Sequence, residues 1–274
     1  MLNYFANPNI PTLARFVAVV AVVSLLIAVP LKLRQQGEVP EVAEGTSETV
    51  APELPDFEAI TDVEVKKHTF FTFLHQYIER QNELVLNTRE HLQRLNQILS
   101  SGTALSDAER EGLMEIARSY RLRDFEGSDR ELVDELLVRA DIIPDSIALA
   151  QAANESAWGT SRFAKEGNNI FGQWCFDEGC GLVPGRRAED ASHEVRAFAS
   201  VQASVRSYVF NLNTNPAYEY FRELRAQMRY LNVDLDAHLL TEGLTRYSER
   251  GALYVAELRD IIRINDLVEL YEQG

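Results

Sequence analysis

The sequence predicts a mainly helical α+β fold in which one small β lobe is set into a helical domain. Apolar residues recur at helical spacing from Phe57 to Leu99 and again from Val201 to Ile264. Between these stretches, residues 168–200 collect Gly172, Gly179, Gly181, Pro184 and Gly185 among short apolar runs, the composition of tight turns joining short strands. A third observation, an apolar run near the N-terminus, places a membrane segment ahead of the fold. No internal repeat is evident.

In chain order, Phe16 to Val29 carries no charge and is followed by Pro30, Leu31, Lys32 and Arg34. Its 14 residues fall short of the roughly 20 that span a bilayer, and residues 9–14 lengthen the run if Arg15 snorkels to the headgroups. A buried core helix is the alternative, disfavoured because the run sits at the extreme N-terminus and abuts a polar tail. A cleaved signal peptide is the closer rival, but Pro30-Leu31-Lys32-Leu33-Arg34 has no small-x-small cleavage site. Residues 1–34 are therefore expected to form an uncleaved anchor. Basic residues on both sides of the run leave its orientation open.

Residues 35–56 mix Gly, Pro, Ser, Thr and Glu, the composition of an extended, self-repelling linker. Much of the chain's negative charge lies there, in Glu38, Glu41, Glu44, Glu48 and Glu53. With 27 Lys and Arg against 42 Asp and Glu, the net charge of −15 argues against binding a nucleic-acid backbone or an anionic membrane surface.

Residues 57–140 are expected to be a helical part of the ectodomain. A long helix runs toward Leu99 and ends at Ser100-Ser101-Gly102. Ser106 with Glu109 forms a capping box for a helix through Arg118 or Tyr120, and another helix spans Arg130 to Arg139. The catalytic domain is assigned to 141–274. It opens with Pro144, Asp145 and a helix from Ser146 to Ala157, and helices resume at Val201–Asn211, Ala217–Arg229, Val233–Thr241 and Leu253–Ile264. Cys175 and Cys180 have no zinc-type partner nearby except the lone His193, so a disulfide is the simpler reading in an exported domain, and two free thiols in a cytoplasmic one.

One carboxylate draws attention. Glu155 falls in the last turn of an alanine-rich helix, where burial would favour its neutral form and suit it to act as a general acid. A solvated glutamate at a helix end is the alternative from spacing alone, and the helix dipole disfavours its charge there. No phosphate loop, Gly-x-Ser-x-Gly elbow or His-Glu-x-x-His pair occurs, so nucleotide chemistry, serine hydrolysis and zinc proteolysis have no foothold.

The run from Ala148 to Gly159, then Ser161-Arg162-Phe163-Ala164 and Asn168-Asn169-Ile170-Phe171-Gly172, resembles the endo-β-N-acetylglucosaminidase domain of glycoside hydrolase family 73. Within it the likeness is greatest to the Bax-type branch, through Gln173-Trp174-Cys175-Phe176, Cys180-Gly181-Leu182-Val183-Pro184, Lys66-Lys67 before Phe70-Phe71, Tyr247-Ser248-Glu249-Arg250-Gly251 and Tyr254-Val255. The resemblance covers residues from Phe57 to the C-terminus. It implies a lysozyme-like domain with a β-hairpin lobe, peptidoglycan glycan strands as substrate, Glu155 as the acid and no cofactor or metal. It also implies a periplasmic catalytic domain on a single-pass inner-membrane anchor.

The second carboxylate is left open among Asp177, Glu178, Glu189, Asp190 and Glu194, because none sits in a Thr-x-Glu context. Position in the lobe favours Glu189, then Glu194, whereas Asp177 and Glu178 fit the turn between the cysteines. The substrate's own acetamido group is a further option. Tyr247 matches a tyrosine of the family motif and is read either as a sugar contact or as a half-buried aromatic. Trp158, Phe171, Trp174 and Tyr254 complete the candidate substrate contacts, with core packing the alternative for Phe171 and a place beneath Glu155 for Trp158. A lytic transglycosylase is the near rival, although its usual Gly-Leu-Met-Gln run is missing. A tethered glycan-binding scaffold is the rival of another class, and no protein partner is identified.

Overall fold

The computed structural model describes residues 54–185 and 193–272. The expected anchor and nearly all of the linker lie outside them. Asp62 opens helix α1, Val63–Ser100, by accepting from the Val65 N–H at 3.0 Å. This helix carries two apolar stripes that serve different cores. Phe70, Phe71, Leu74, Tyr77, Ile78 and Val85 enter the main core, while Leu92 and Leu95 enter a smaller one. A single 38-residue helix is long enough to pack in both cores.

Helices α2, Asp107–Ser119, and α3, Asp129–Arg139, complete the smaller core with Leu113, Ala117, Leu132, Val133 and Leu136. Each opens with a reciprocal Ser/Glu capping box, Ser106 with Glu109 and Ser128 with Glu131. Asp141 then joins this part to the rest. Its buried carboxylate meets Arg89 of α1 at 3.3 Å and Arg229 at 2.9 Å, and Arg225 donates to the carbonyls of Val138, Arg139, Asp141 and Ile142.

The main core is built around α4, Asp145–Ser156, whose residues Ser146 through Ala153 are all buried. A short α5, Arg162–Gly167, leads into the β lobe. The lobe is a three-stranded antiparallel sheet of order β1-β3-β2, made of Trp174–Cys175, Gly181–Leu182 and Glu194–Arg196. A simple hairpin was expected. Instead, β3 returns between the two arms of the turn, so that Val195 is the partner of both Trp174 and Leu182.

Helices α6, Val201–Thr214, and α7, Glu219–Tyr230, wrap the core, joined by a 3-10 turn at Pro216–Tyr218. The helix expected over 233–241 is shorter. Asn232 takes a left-handed conformation and Asp236 caps a single turn, α8, Ala237–Leu240, which continues as a 3-10 turn through Leu244. Helices α9, Ala252–Ile264, and α10, Leu267–Tyr271, close the described chain. No helix among the described residues is long and apolar enough to cross a membrane.

Candidate active site

Four of the twelve residues of helix α4 are alanine, which lets the surrounding helices approach its axis closely. The helix stops abruptly at Ser156, one residue after Glu155. Ser156 turns its hydroxyl back to the Ala152 carbonyl at 2.6 Å and accepts the Gly159 N–H at 2.8 Å. Ala157, Trp158 and Gly159 follow with φ of 50°, 59° and 75°, a left-handed run that reverses the chain. Two of these residues carry side chains in a region that costs about 1–2 kcal/mol each. Gly159 has no substitute, because a Cβ there would stand 2.4 Å from the Phe57 ring.

Trp158 is carried by this reversal onto α1, where it meets Phe70 and Phe71 edge-on at 5.7 and 5.2 Å, under the Lys67 ammonium. It is a packing residue that anchors the turn after Glu155, and its role as a sugar contact is not what the geometry favours.

The Glu155 side chain stays half-buried. Gly172, at φ +63°, passes so close that a Cβ there would lie 3.2 Å from Glu155 Oε2. Asn154 Nδ2 approaches Oε1 at 3.4 Å. Burial pushes the Glu155 carboxyl above the usual carboxylate range, with the nearby Glu257 adding to it, against the pull of Tyr254, Asn154 and Arg250.

Behind Glu155 lies a buried set of aromatic and amide groups. Tyr254 is 0% exposed, and its hydroxyl accepts from Gln151 Nε2 at 2.8 Å, while Gln151 Oε1 accepts from the Tyr208 hydroxyl at 2.7 Å. Tyr254 is therefore a core residue with no surface to offer a sugar. Phe171 is likewise buried, stacked on Tyr208 with ring centroids 3.9 Å apart, and the core reading of this residue is the one the packing supports. Tyr247 is half-buried, lies parallel to Tyr254 at 5.7 Å and donates its hydroxyl to the Phe171 carbonyl at 2.8 Å. It thereby fixes the strand of chain that brings Gly172 to Glu155. On the exposed rim, Arg250 pairs with Glu257 and lies over the Tyr254 ring.

In the β lobe, Cys175 and Cys180 form a disulfide. Glu194 is buried, and each of its oxygens accepts one backbone N–H of the intervening turn, Gly179 at 3.1 Å and Gly181 at 2.8 Å. The turn is therefore held by Glu194, with Asp177 and Glu178 exposed beside it, and a carboxylate so engaged is a brace of the lobe and a poor candidate for base or nucleophile. Trp174 is 44% exposed and stacks on His193 at 4.2 Å, the one candidate sugar platform among those expected that is both aromatic and open. Glu189 and Asp190 lie outside the described residues. Among the described residues, the grouping of metal-type side chains is Cys175, Cys180 and Glu194, whose sulfurs are bonded to each other.

A glucosaminidase family model, described as mannosyl-glycoprotein endo-beta-N-acetylglucosaminidase, matches residues 130–267. The chain belongs to the glucosaminidase family. It is also 36% identical over 204 residues to Protein bax of Escherichia coli (strain K12), covering 73% of this chain and 70% of that protein. No solved structure matches it. The family segment contains Glu155, the disulfide-bonded lobe, Tyr247 and Tyr254, and it makes the chain an enzyme of the glycoside hydrolase type. It begins within α3, so that the aromatic stripe of α1, on which Trp158 rests, is supplied from outside it.

Gly172 and Arg250 fall in the runs that carry the resemblance, which assigns them no role at the site, and the sequence assigns none to Gln151, Tyr208 and Glu257. Gln151 left a signal: it is a long polar side chain in a run of alanines, and a polar group buried in such a helix requires partners.

Proposed function

We propose that this chain hydrolyses the glycan strands of peptidoglycan, cleaving the β-1,4 bond after N-acetylglucosamine with Glu155 as the general acid. The observation that carries this reading is the state of Glu155, a half-buried carboxyl held toward its neutral form at a strained helix end, inside the segment that matches a glucosaminidase family. A neutral carboxyl protonates the glycosidic oxygen as the bond breaks. The open face of Trp174 suits the C–H surface of a pyranose ring in a neighbouring subsite. Because Glu194 braces the lobe, the reaction is completed by Glu189 or by the acetamido group of the substrate. The apolar run 16–29 anchors the enzyme in the inner membrane with this domain in the periplasm, a compartment in keeping with the disulfide.

Digestion of purified sacculi followed by mass spectrometry tests the reading. Reducing N-acetylglucosamine ends are expected, and Glu155→Gln should lower their release by at least about 100-fold. Anhydro-muramoyl ends would assign the transglycosylase reaction instead. Release of glycan from a mannosyl glycoprotein, with none from sacculi, would overturn the substrate.

A further inference from the structure

We infer that Phe57 is a positioning residue for Glu155. Carried on a short strap, residues 54–60, its ring holds the left-handed turn after Glu155 in place from outside the segment that the family model matches. The inference rests on the acid role proposed for Glu155.

The strap is a local turn that directs one aromatic ring inward. The Asp56 carboxylate accepts the Glu58 and Ala59 N–H groups at 3.1 and 3.3 Å, and the Phe57 N–H returns to the Pro55 carbonyl at 2.8 Å. Phe57 is thereby buried, while Asp56 and Glu58 on either side of it are exposed. Its ring meets Phe70 and Phe73 of α1 edge-on at 5.3 and 6.2 Å. Leu54 and Ile60 pack against the same core, and Glu58 pairs with Lys165 of α5 at 2.7 Å. The strap is thus fixed to both α1 and α5.

Toward the active site, the Phe57 ring occupies the space where Gly159 would carry a Cβ, which would stand 2.4 Å from it. Trp158 rests on Phe70 and Phe71, so two consecutive residues of the turn are seated on rings that lie outside the family segment. The backbone they hold is costly, because Ala157 and Trp158 both take left-handed conformations, and such a run persists only where its surroundings over-determine it. The turn is also bonded to chain on both sides of Glu155. The Trp158 N–H closes on the Ala153 carbonyl at 3.0 Å, the Gly159 N–H on the Ser156 hydroxyl at 2.8 Å and the Ser161 N–H on the Ser156 carbonyl at 2.9 Å. Removing the Phe57 ring opens a void beside Gly159, the residue of the turn best able to change its backbone angles. The last turn of α4 then loosens, and water reaches the Glu155 carboxyl.

The experiment compares Phe57→Ala with Leu113→Ala in the full-length protein carrying side-chain-labelled glutamate. Leu113 is fully buried in the smaller core, so its truncation also leaves a cavity but belongs to neither the strap nor the turn. Carbon NMR reads the titration of Glu155, with Glu155→Gln identifying the resonance. Loss of burial should move the Glu155 midpoint to lower pH in Phe57→Ala and leave it at the wild-type value in Leu113→Ala. On sacculi, kcat of Phe57→Ala should fall by about tenfold with KM unchanged. Phe57→Leu, which refills part of the void, should recover part of both effects. Should Phe57→Ala fail to fold, Phe57→Leu carries the same comparison with a smaller shift. A midpoint that stays at the wild-type value in the folded Phe57 variant, or moves as far in Leu113→Ala, overturns the inference. Should the wild type release no sugar at all, the hydrolase reading falls, and the titration still decides whether Phe57 positions Glu155.

Discussion

Glu272 caps helix α4 by accepting the Ser146 N–H at 3.1 Å together with the Ser146 hydroxyl, across 126 residues of sequence. The helix that carries Glu155 in its last turn has Pro144 at its N-cap, a residue whose side chain can accept no hydrogen bond. The C-terminal end of the described chain supplies what is missing. Glu272→Ala should therefore cost about 1 kcal/mol, within the range for loss of an N-cap. Urea unfolding followed by circular dichroism measures it. A Glu272→Gln variant, which keeps an acceptor, should recover part of the loss.

A second contact clasps the same helix start. His75 Nε2 lies 2.9 Å from Asp145 Oδ2, and Asn82 donates to the other oxygen of that carboxylate at 2.7 Å. The bond to Asp145 raises the His75 pKa above 6.5, against the opposing effect of burial and with help from the charges of Asp145 and Glu79. A raised folded-state value means the folded protein binds this proton more tightly than the unfolded chain. The stabilisation is thus fully present below pH 6.5 and is lost as the pH rises through the folded-state value. Because the pair is partly solvated, its size should stay under about 1 kcal/mol. Urea midpoints measured from pH 6 to 9 should show this decline in the wild type and lack it in His75→Gln.

These clasps show where sequence reading stops. The capping box of Ser106 and Glu109 is legible because both partners lie within one turn, and Ser128 with Glu131 carries the same signal. The helical course of α1 and the disulfide are also local patterns. By contrast, the sheet is made of strands two or three residues long, too short for alternation to declare itself, and β3 is placed by pairing with both arms of a turn. Glu194 illustrates the consequence. Its position in the lobe marks it as a possible catalytic partner, but only the folded turn reveals that its oxygens are taken by Gly179 and Gly181. Glu155 was visible through the motif around it, whereas Tyr208 and Tyr254 reach Gln151 from helices 57 and 103 residues away.

Asp141 yields the largest expected loss of stability. Burial pushes its carboxyl up, but the hydrogen bond from Arg229 and the charges of Arg225, Arg89 and Arg229 together hold it below the usual range. Asp141→Asn retains the shape of the side chain and removes the charge that compensates three guanidinium groups, one of them, Arg225, fully buried. Breaking such a cluster costs about 3 kcal/mol or more. Denaturant unfolding of Asp141→Asn measures it. In the wild type, the same carboxylate makes stability fall as the pH is lowered through its folded-state pKa, and the variant should lack that contribution.

Gly172 separates backbone strain from damage to the acid. In Gly172→Ala, the residue must hold φ +63°, and its Cβ must sit 3.2 Å from Glu155 Oε2. The strain alone should lower stability by about 1–2 kcal/mol and the melting temperature by about 2–8 °C. Gly179→Ala provides the control, since Gly179 has φ +80° and open space where the Cβ would lie. It should show a similar melting shift with its activity on sacculi intact. Gly172→Ala should in addition lose about tenfold in kcat, because displacing a carboxyl by a few tenths of an ångström disturbs its approach to the glycosidic oxygen. Equal activities in the two variants would show that Glu155 moves freely past Gly172, and the close approach would then carry no catalytic constraint.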